Sequence, residues 1–588
     1  MYLKANRRDK DGKQHIYYTL NESLRVNRRR VIQRCVLHLG ELNTTQVERW
    51  QRTIEVVQED GQRHQLRLFT DREGHAPEAD DVAEVILSSL VLRRPRQFGA
   101  AWVGCKLWEE LGLGSFWERA LGEEAGQAPW SKVVELLAVN RLCAPGSELS
   151  LHEKWYPQTA MDVLLDCSDE VAERNRLYRC LDRLLPHKEA LEQHLAQRWK
   201  DLFGARFDIV LYDLTSTYFE GEVEGVAKAQ RGYSRDNRPD CKQLLIALVV
   251  TPEGLPLSYE VFDGSRADVT TLDEIVDAVE RKYGKAQRVW VFDRGIVSEE
   301  NLLRLRNRTA LYLVGTRKNQ LKKHERRLLE GDWQMVSETV GVQIIPEGEE
   351  TYVLARSLTR AEKERAMRGR GIYGLMRELV RLRRSIRLGK IVDPRKITHR
   401  LGRLHERYAR AWRYAGVEYQ EQALCWRWDR EALRKASLRD GAYLLRTNIP
   451  EMDAARLWHN YIQLTEVESA FRVLKGEIVV RPIWHWISSR VEAHVMVAFL
   501  GYVLWVTLRQ KLRAIAQSLT PWQLLDQFGR IQLIEVWFKT RDERAICLPR
   551  ITQPEHAQAL LLCQLGWQLP AQPPPRVYQR QVPNVWET

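Results

Sequence analysis

Phe207-Asp208-Ile209-Val210-Leu211-Tyr212-Asp213 is an apolar run that ends in a carboxylate, and Val289-Trp290-Val291-Phe292-Asp293 repeats the arrangement further along. Short apolar runs rich in β-branched and aromatic residues read as buried strands. The stretch between them at residues 270–283 is patterned as a helix, and a helical crossover is what a parallel strand pair requires. The two strands are therefore expected side by side. Asp213 and Asp293 would then emerge together at the C-terminal edge of a sheet, where open α/β sheets place ligands. Strands at 244–250 and 257–262, joined through the turn Pro252-Glu253-Gly254, suggest an antiparallel meander beside the first strand. Residues 311–314 supply a fifth strand. Ser298, followed by Glu299 and Glu300, opens the next helix by cap and by dipole.

A third carboxylate stands out in a helical pattern. Tyr461, Glu468 and Lys475 follow one another at intervals of seven residues, two turns of helix. They form a polar stripe beside the apolar face of Val467, Ala470, Phe471 and Leu474. Two strand-end aspartates and a helical glutamate make a hard, oxygen-rich site for Mg²⁺, the ligand set of two-metal phosphoryl transfer. The plainer readings are a turn-forming or capping Asp and a solvated Glu.

These residues, with several flanking motifs, resemble the DDE transposases of bacterial insertion sequences, in the branch marked by Y-(2)-R-(3)-E-(6)-K. The pattern reads here Tyr461, Leu464, Glu468, Lys475, so that Leu stands at the motif Arg and Arg472 is the candidate to replace it. The other matching stretches are Tyr212 to Gly221, Gly232 to Asp240, Phe292 to Gly295, Asp440 to Asn448, and Arg481-Pro482 with His494. The resemblance implies an α/β chain with an RNase H-like catalytic core interrupted by a large insertion. It implies Mg²⁺-dependent cleavage and transfer of DNA strands at the element's ends, with Mn²⁺ able to substitute. Asp213 would bridge two metals, with Asp293 and Glu468 on either side. Lys475 and Tyr461 would position the scissile phosphate. Lys242, Arg238 and Arg235 are further phosphate candidates, and Asp236 and Asp240 are rival ligands. The implied partners are double-stranded DNA, as terminal inverted repeats and as target, and a second copy of the chain on paired ends.

Charge points the same way. The net charge is +13 with a sequence pI near 9.2, which suits a polyanionic partner. Residues 360–413 hold 18 Lys+Arg against 5 Asp+Glu, a balance of +13, so this one segment carries the whole excess. Tyr373, Tyr408, Trp412 and Tyr414 punctuate it. Arg381, Arg384 and Arg387 fall on one helical side and are candidate DNA contacts. A two-carboxylate glycosidase is disfavoured, since neutral sugars give that charge nothing to bind. A transposase-derived DNA-binding protein with a decayed centre is the main alternative.

The nine cysteines show no paired or finger spacing, so no disulfide framework or zinc site is implied. No apolar leader opens the chain, so a cytoplasmic, nucleoid-associated protein is expected. The apolar stretch 493–508 reads as a buried helix rather than a membrane span. The expected organisation is an α+β unit at 1–95, with Asn43 capping a helix, and a helical domain at 96–205 broken at Pro186. Core segments follow at 206–318 and 451–515, around a basic insertion at 319–450. A helical region with a Pro- and Gln-rich tail is expected at 516–588.

Overall fold

The computed structural model describes residues 1–10, 13–27, 30–61, 83–122, 127–284, 288–293, 295, 297–316, 320–330, 332–420, 423–450 and 453–578. It is a mixed α/β chain, and its largest sheet among these residues has nine strands. In chain order these are β1 (Ile209–Tyr218), β2 (Gln243–Val250), β3 (Pro256–Asp263), β4 (Val289–Phe292), β5 (Leu311–Gly315), β6 (Gln334–Ser337), β7 (Val340–Glu347), β8 (Glu350–Ser357) and β9 (Ala442–Thr447). In space they run β6-β7-β8-β9-β5-β4-β1-β2-β3.

The heart of the sheet follows the local pattern. β2 pairs antiparallel with β1 and with β3. The turn between β2 and β3 closes through Gly254, whose φ of +88° suits glycine and whose N–H donates to the Thr251 carbonyl at 2.9 Å. β4 lies parallel to β1 and to β5. Helix α1 (Leu272–Tyr283) makes the crossover into β4, and α2 (Glu299–Asn307) starts at Ser298, whose side chain accepts from Asn301 N–H at 3.0 Å. β2 is buried along its whole length, as a strand covered on both faces must be.

β1 departs from expectation. It runs through Asp213 to Tyr218, because its antiparallel bonds to β2 continue where its parallel bonds to β4 stop. The last parallel register is Tyr212 opposite Phe292. Asp213 is thus a mid-strand residue at the point where its neighbour ends.

The segment at 319–450 divides in two. β6, β7, β8 and β9 extend the central sheet from β5, with β9 antiparallel to it. Between β8 and β9 stand α3 (Leu358–Arg387), α4 (Pro394–Arg407), a short helix Ala409–Trp412 and a hairpin of Ala415–Gln420 with Ala423–Trp428. This basic unit has its own small core of Leu375, Leu379, Leu382, Ala411 and Leu424.

After β9 come α5 (Ala454–Ile462), α6 (Leu464–Gly476) and α7 (Ser488–Ile515). The chain turns at Gln463, so the Tyr461–Glu468–Lys475 stripe spans two helices rather than one. α7 is long and apolar enough to cross a membrane, but it is buried inside the protein almost throughout residues 491–508. It packs against the helices Trp130–Cys143 and Arg174–Leu184 of the N-terminal helical block.

The C-terminal region is not helical throughout. Gln532–Thr540, Ala545–Ile551 and Arg576–Tyr578 form a sheet with Val85–Gln97. Pro549 lies inside one of these strands, and residues 579–588 of the expected tail lie outside the described residues. The pairing joins segments some 440 positions apart, which no local pattern displays. At the N-terminus three strands precede a helix at Thr44–Gly61, and Asn43 caps it: Gln46 N–H donates to Asn43 Oδ1 at 2.9 Å.

Candidate active site

Side chains alternate across β1, so Tyr212 and Asp213 face opposite ways. Tyr212 is fully buried and shares a 2.7 Å hydrogen bond with Thr271 Oγ1. Asp213 faces the side where α6 packs on β1 and β2. Asp293 follows directly on β4, one step beyond the Tyr212–Phe292 register, beside Asp213. α6 buries Val467, Ala470, Phe471, Val473 and Leu474 against the sheet, leaving Glu468 exposed at the edge of that contact.

Asp213, Asp293 and Glu468 line one cavity of about 300 Å³. Its other walls include Tyr461 and Leu464. Gly315, at the end of β5, makes the close approach possible. A Cβ there would stand 3.5 Å from Asp293 Oδ1 and would collide with the Tyr461 hydroxyl. Any larger residue would push one of these two groups out.

The electrostatics match the crowding. Burial pushes the Asp213 carboxyl up to about 7. The Leu214 N–H and Arg235 oppose the rise, while the negative charges of Asp293 and Glu468 add to it. Asp213 therefore holds its proton to a much higher pH than an ordinary carboxyl does.

Two further residues shape this neighbourhood: Arg360, which no motif marks, and Asp236, which the sequence offers only as a rival ligand. Arg360, two residues into α3, lines the cavity and stacks over Tyr443 at 5.2 Å. Asp236 is buried among cations. Its Oδ1 accepts from Lys475 Nζ at 2.7 Å and also pairs with Arg481, and its Oδ2 has no hydrogen-bond partner among the described residues. Burial pushes the Lys475 ammonium down, and Asp236 works against it. Lys475 lies outside the cavity wall. The sequence marks Asp236 as a rival ligand; its pairing instead with Lys475 and Arg481, distant in the chain, appears only in the structure.

The remaining candidates fall elsewhere. Asp236 and Asp240 do not line the cavity. Asp240 pairs with Arg238, whose guanidinium also lies 5.0 Å from the Tyr218 ring. Lys242 donates to the Val223 carbonyl at 2.6 Å, and Arg235 pairs with Asp268. Arg472 is exposed on α6. Arg381, Arg384 and Arg387 are exposed along α3, far down that helix from Arg360.

Glu148, His485 and His494 form a second close group of potential ligands, in which both ring nitrogens of His494 are already bonded. Arg141 donates to His494 Nδ1 at 3.1 Å, and His494 Nε2 donates to the Val480 carbonyl at 3.1 Å. Burial, with Arg141 beside it, drives His494 down to about 3, so it is neutral. Burial raises the Glu148 carboxyl, but His485 and then Arg141 outweigh it and hold the group at about 2. The network ties α7 to the helical block and explains the His494 motif structurally.

A cryo-EM structure of a piggyBac transposase synaptic complex with hairpin DNA aligns with 74% of this chain and 81% of that one, at 9% identity and a TM-score of 0.34, too loose an overlap to bear on the fold. No curated protein matches the chain. The family model described as a transposase DDE domain matches residues 205–504, more than half of the chain and all three cavity carboxylates, and the protein belongs to that family.

Proposed function

We propose that this protein is the transposase of an insertion sequence, in the branch marked by the Tyr-Arg-Glu-Lys motif, and that Asp213, Asp293 and Glu468 form its catalytic centre. The convergence of these three carboxylates from β1, β4 and α6 on one cavity carries the reading. The order β3-β2-β1-β4-β5, an antiparallel meander joined to two parallel strands, supports an RNase H-like core.

The donor set fits a divalent cation. All three groups offer hard oxygens, and the burial and repulsion that push Asp213 toward neutrality are costs that such an ion relieves. Bound by these carboxylates, Mg²⁺, or Mn²⁺ in its place, would supply activation of a water or a DNA 3′-hydroxyl and stabilisation of the leaving oxygen. The chain's own residues do the positioning. Asp213 is fixed by strand bonds on one side and by the α6 contact on the other. The Tyr461 hydroxyl stands against Gly315 at the cavity wall. Asp236 holds Lys475 and Arg481 as a preset cationic pair for a phosphate. Arg360 supplies a guanidinium to the cavity that Leu464, at the motif Arg position, does not.

The substrate is double-stranded DNA bearing terminal inverted repeats, cut and pasted into a target by a dimer holding both ends, in the bacterial cytoplasm. Leu464 in the cavity wall favours one second reading, a DNA-binding protein whose centre has decayed. A cleavage assay on DNA carrying the element's ends separates the two. Metal-dependent nicking at the repeat boundary is expected; binding without nicking in Mg²⁺ or Mn²⁺ would leave only the decayed protein.

A further inference from the structure

Between the Arg481-Pro482 bond and α7 run Ile483-Trp484-His485-Trp486-Ile487. Ile483 N–H donates to the Tyr218 carbonyl at 3.0 Å, so the segment leaves from the far end of β1. His485 turns inward: it is buried, its Nε2 lies 3.4 Å from Glu148 Oε2, and its ring sits edge-on to Tyr178. Its two neighbours turn outward. Trp484 is 56% exposed, Trp486 69% and Ile487 52%. Indoles are seldom left this open, and a contiguous exposed set marks a contact surface.

Beside this segment is a pocket of about 390 Å³ lined by Arg174, Asn175, Tyr178, Arg179 and Arg490. Tyr178 links the two features, touching His485 from one side and lying under the Arg490 guanidinium at 5.7 Å. Asp182 holds Arg490 through two 2.8 Å hydrogen bonds. Arg174 and Arg179 are exposed, and neither pairs with a carboxylate among the described residues. The chain reaches this surface directly from Arg481, which shares Asp236 with Lys475.

We propose that Trp484, Trp486 and the Arg174–Arg179 pocket together bind unpaired DNA, with bases stacked on the indoles and backbone phosphates held by the arginines. Aromatic faces stack any base, and guanidinium groups pair with phosphate oxygens in fixed geometry. The three arginines around the pocket outnumber the two exposed carboxylates near them, Asp182 on Arg490 and Glu173 beside Arg174 and Arg179, which favours a polyanion over a protein partner. The site lies outside the carboxylate cavity and rests on the proposed DNA substrate.

The test uses the full chain and two labelled probes, a single-stranded oligothymidine and a blunt duplex of the same length, titrated by fluorescence anisotropy. Trp484→Ala with Trp486→Ala should weaken oligothymidine binding about 10- to 100-fold, with less than about 3-fold loss on the duplex. Arg174→Ala with Arg179→Ala should do the same and reduce the salt dependence of oligothymidine binding. Equal losses on both probes, or no loss on oligothymidine, overturn the site while leaving the DNA reading in place. Wild-type protein that binds neither probe overturns both. A tryptophan variant that changes self-association in sedimentation velocity, with oligothymidine affinity intact, assigns the surface to a second copy of the chain and overturns the proposal.

Discussion

The carboxylate cavity and the basic unit on α3 and α4 use charge in opposite ways. In the cavity three like charges face one partly buried space, and their cost appears as the raised Asp213. On α3 and α4 the cations are spread over long exposed helices, where water screens them. Arg383 settles over Trp426 at 4.5 Å and Arg381 pairs with Glu378 at 2.9 Å. Arg360 belongs to both regions, since it starts the basic helix and ends in the cavity wall. A concentrated site depends on each group's place, while a dispersed one depends on the sum. Substitutions should therefore act all-or-none in the first region and by increments in the second.

The largest effect tests the first half of that contrast. Asp213→Asn, Asp293→Asn and Glu468→Gln each keep the shape and remove a hard anionic ligand, so each should lower strand cleavage by at least about 10³-fold, as loss of several kcal/mol of transition-state stabilisation implies. Duplex affinity should stay within a few-fold of wild type. Robust metal-dependent cleavage by any one variant would remove that residue from the centre.

The next effect is on stability. The folded Asp213 carboxyl sits at about 7 against an ordinary 3.8. Between those values the native state keeps a proton that the unfolded chain has lost, so stability falls as pH rises through the window. The cost at pH 8 is at most about 4 kcal/mol. Urea unfolding of metal-free wild type should weaken from pH 5 to pH 8, and Asp213→Asn should flatten that decline. Added Mg²⁺ should stabilise the wild type more at pH 8 than at pH 6. Parallel pH profiles for wild type and variant would show that Asp213 is not under this strain.

Arg360 sharpens the comparison from its boundary position. Arg360→Ala should cost cleavage about 10- to 100-fold, the effect of removing one charge-assisted hydrogen bond from a partly buried site, with a much smaller change in duplex affinity. A purely proportional loss of binding would return Arg360 to the dispersed group.

The smallest effect per residue belongs to the exposed helix. Neutralising Arg381, Arg383, Arg384 and Arg387 together should flatten the plot of log K against log salt, by roughly 0.9 for each phosphate that is no longer neutralised. Arg383 is turned onto Trp426, so a change of about 2 to 3 is expected rather than 4. An unaltered slope would mean that α3 faces away from DNA.

The elements legible in sequence are those whose cause is local. The apolar runs before Asp213 and Asp293, the Pro252–Gly254 turn, the Ser298 and Asn43 caps and the buried α7 each follow from neighbouring residues, through side-chain period, capping geometry and composition. The apolar face of α6 is of the same kind, and with it the exposure of Glu468 at its margin. The family motifs depend on the same local spacing, which is why Asp213, Asp293 and Glu468 could be named together.

What needed the tertiary structure is the set of relations between distant segments. β1 runs past Asp213 because β2 offers backbone partners that β4 no longer does. β6 to β9 join the central sheet, and Val85–Gln97 pairs with the C-terminal strands, because a sheet edge accepts whichever chain folding brings to it. Arg360 reaches the wall of the carboxylate cavity, and Asp236 draws Lys475 and Arg481 together, across long stretches of intervening chain. Hydrogen-bond pairing and charge burial act through space, and a residue's own neighbours along the chain carry no record of them.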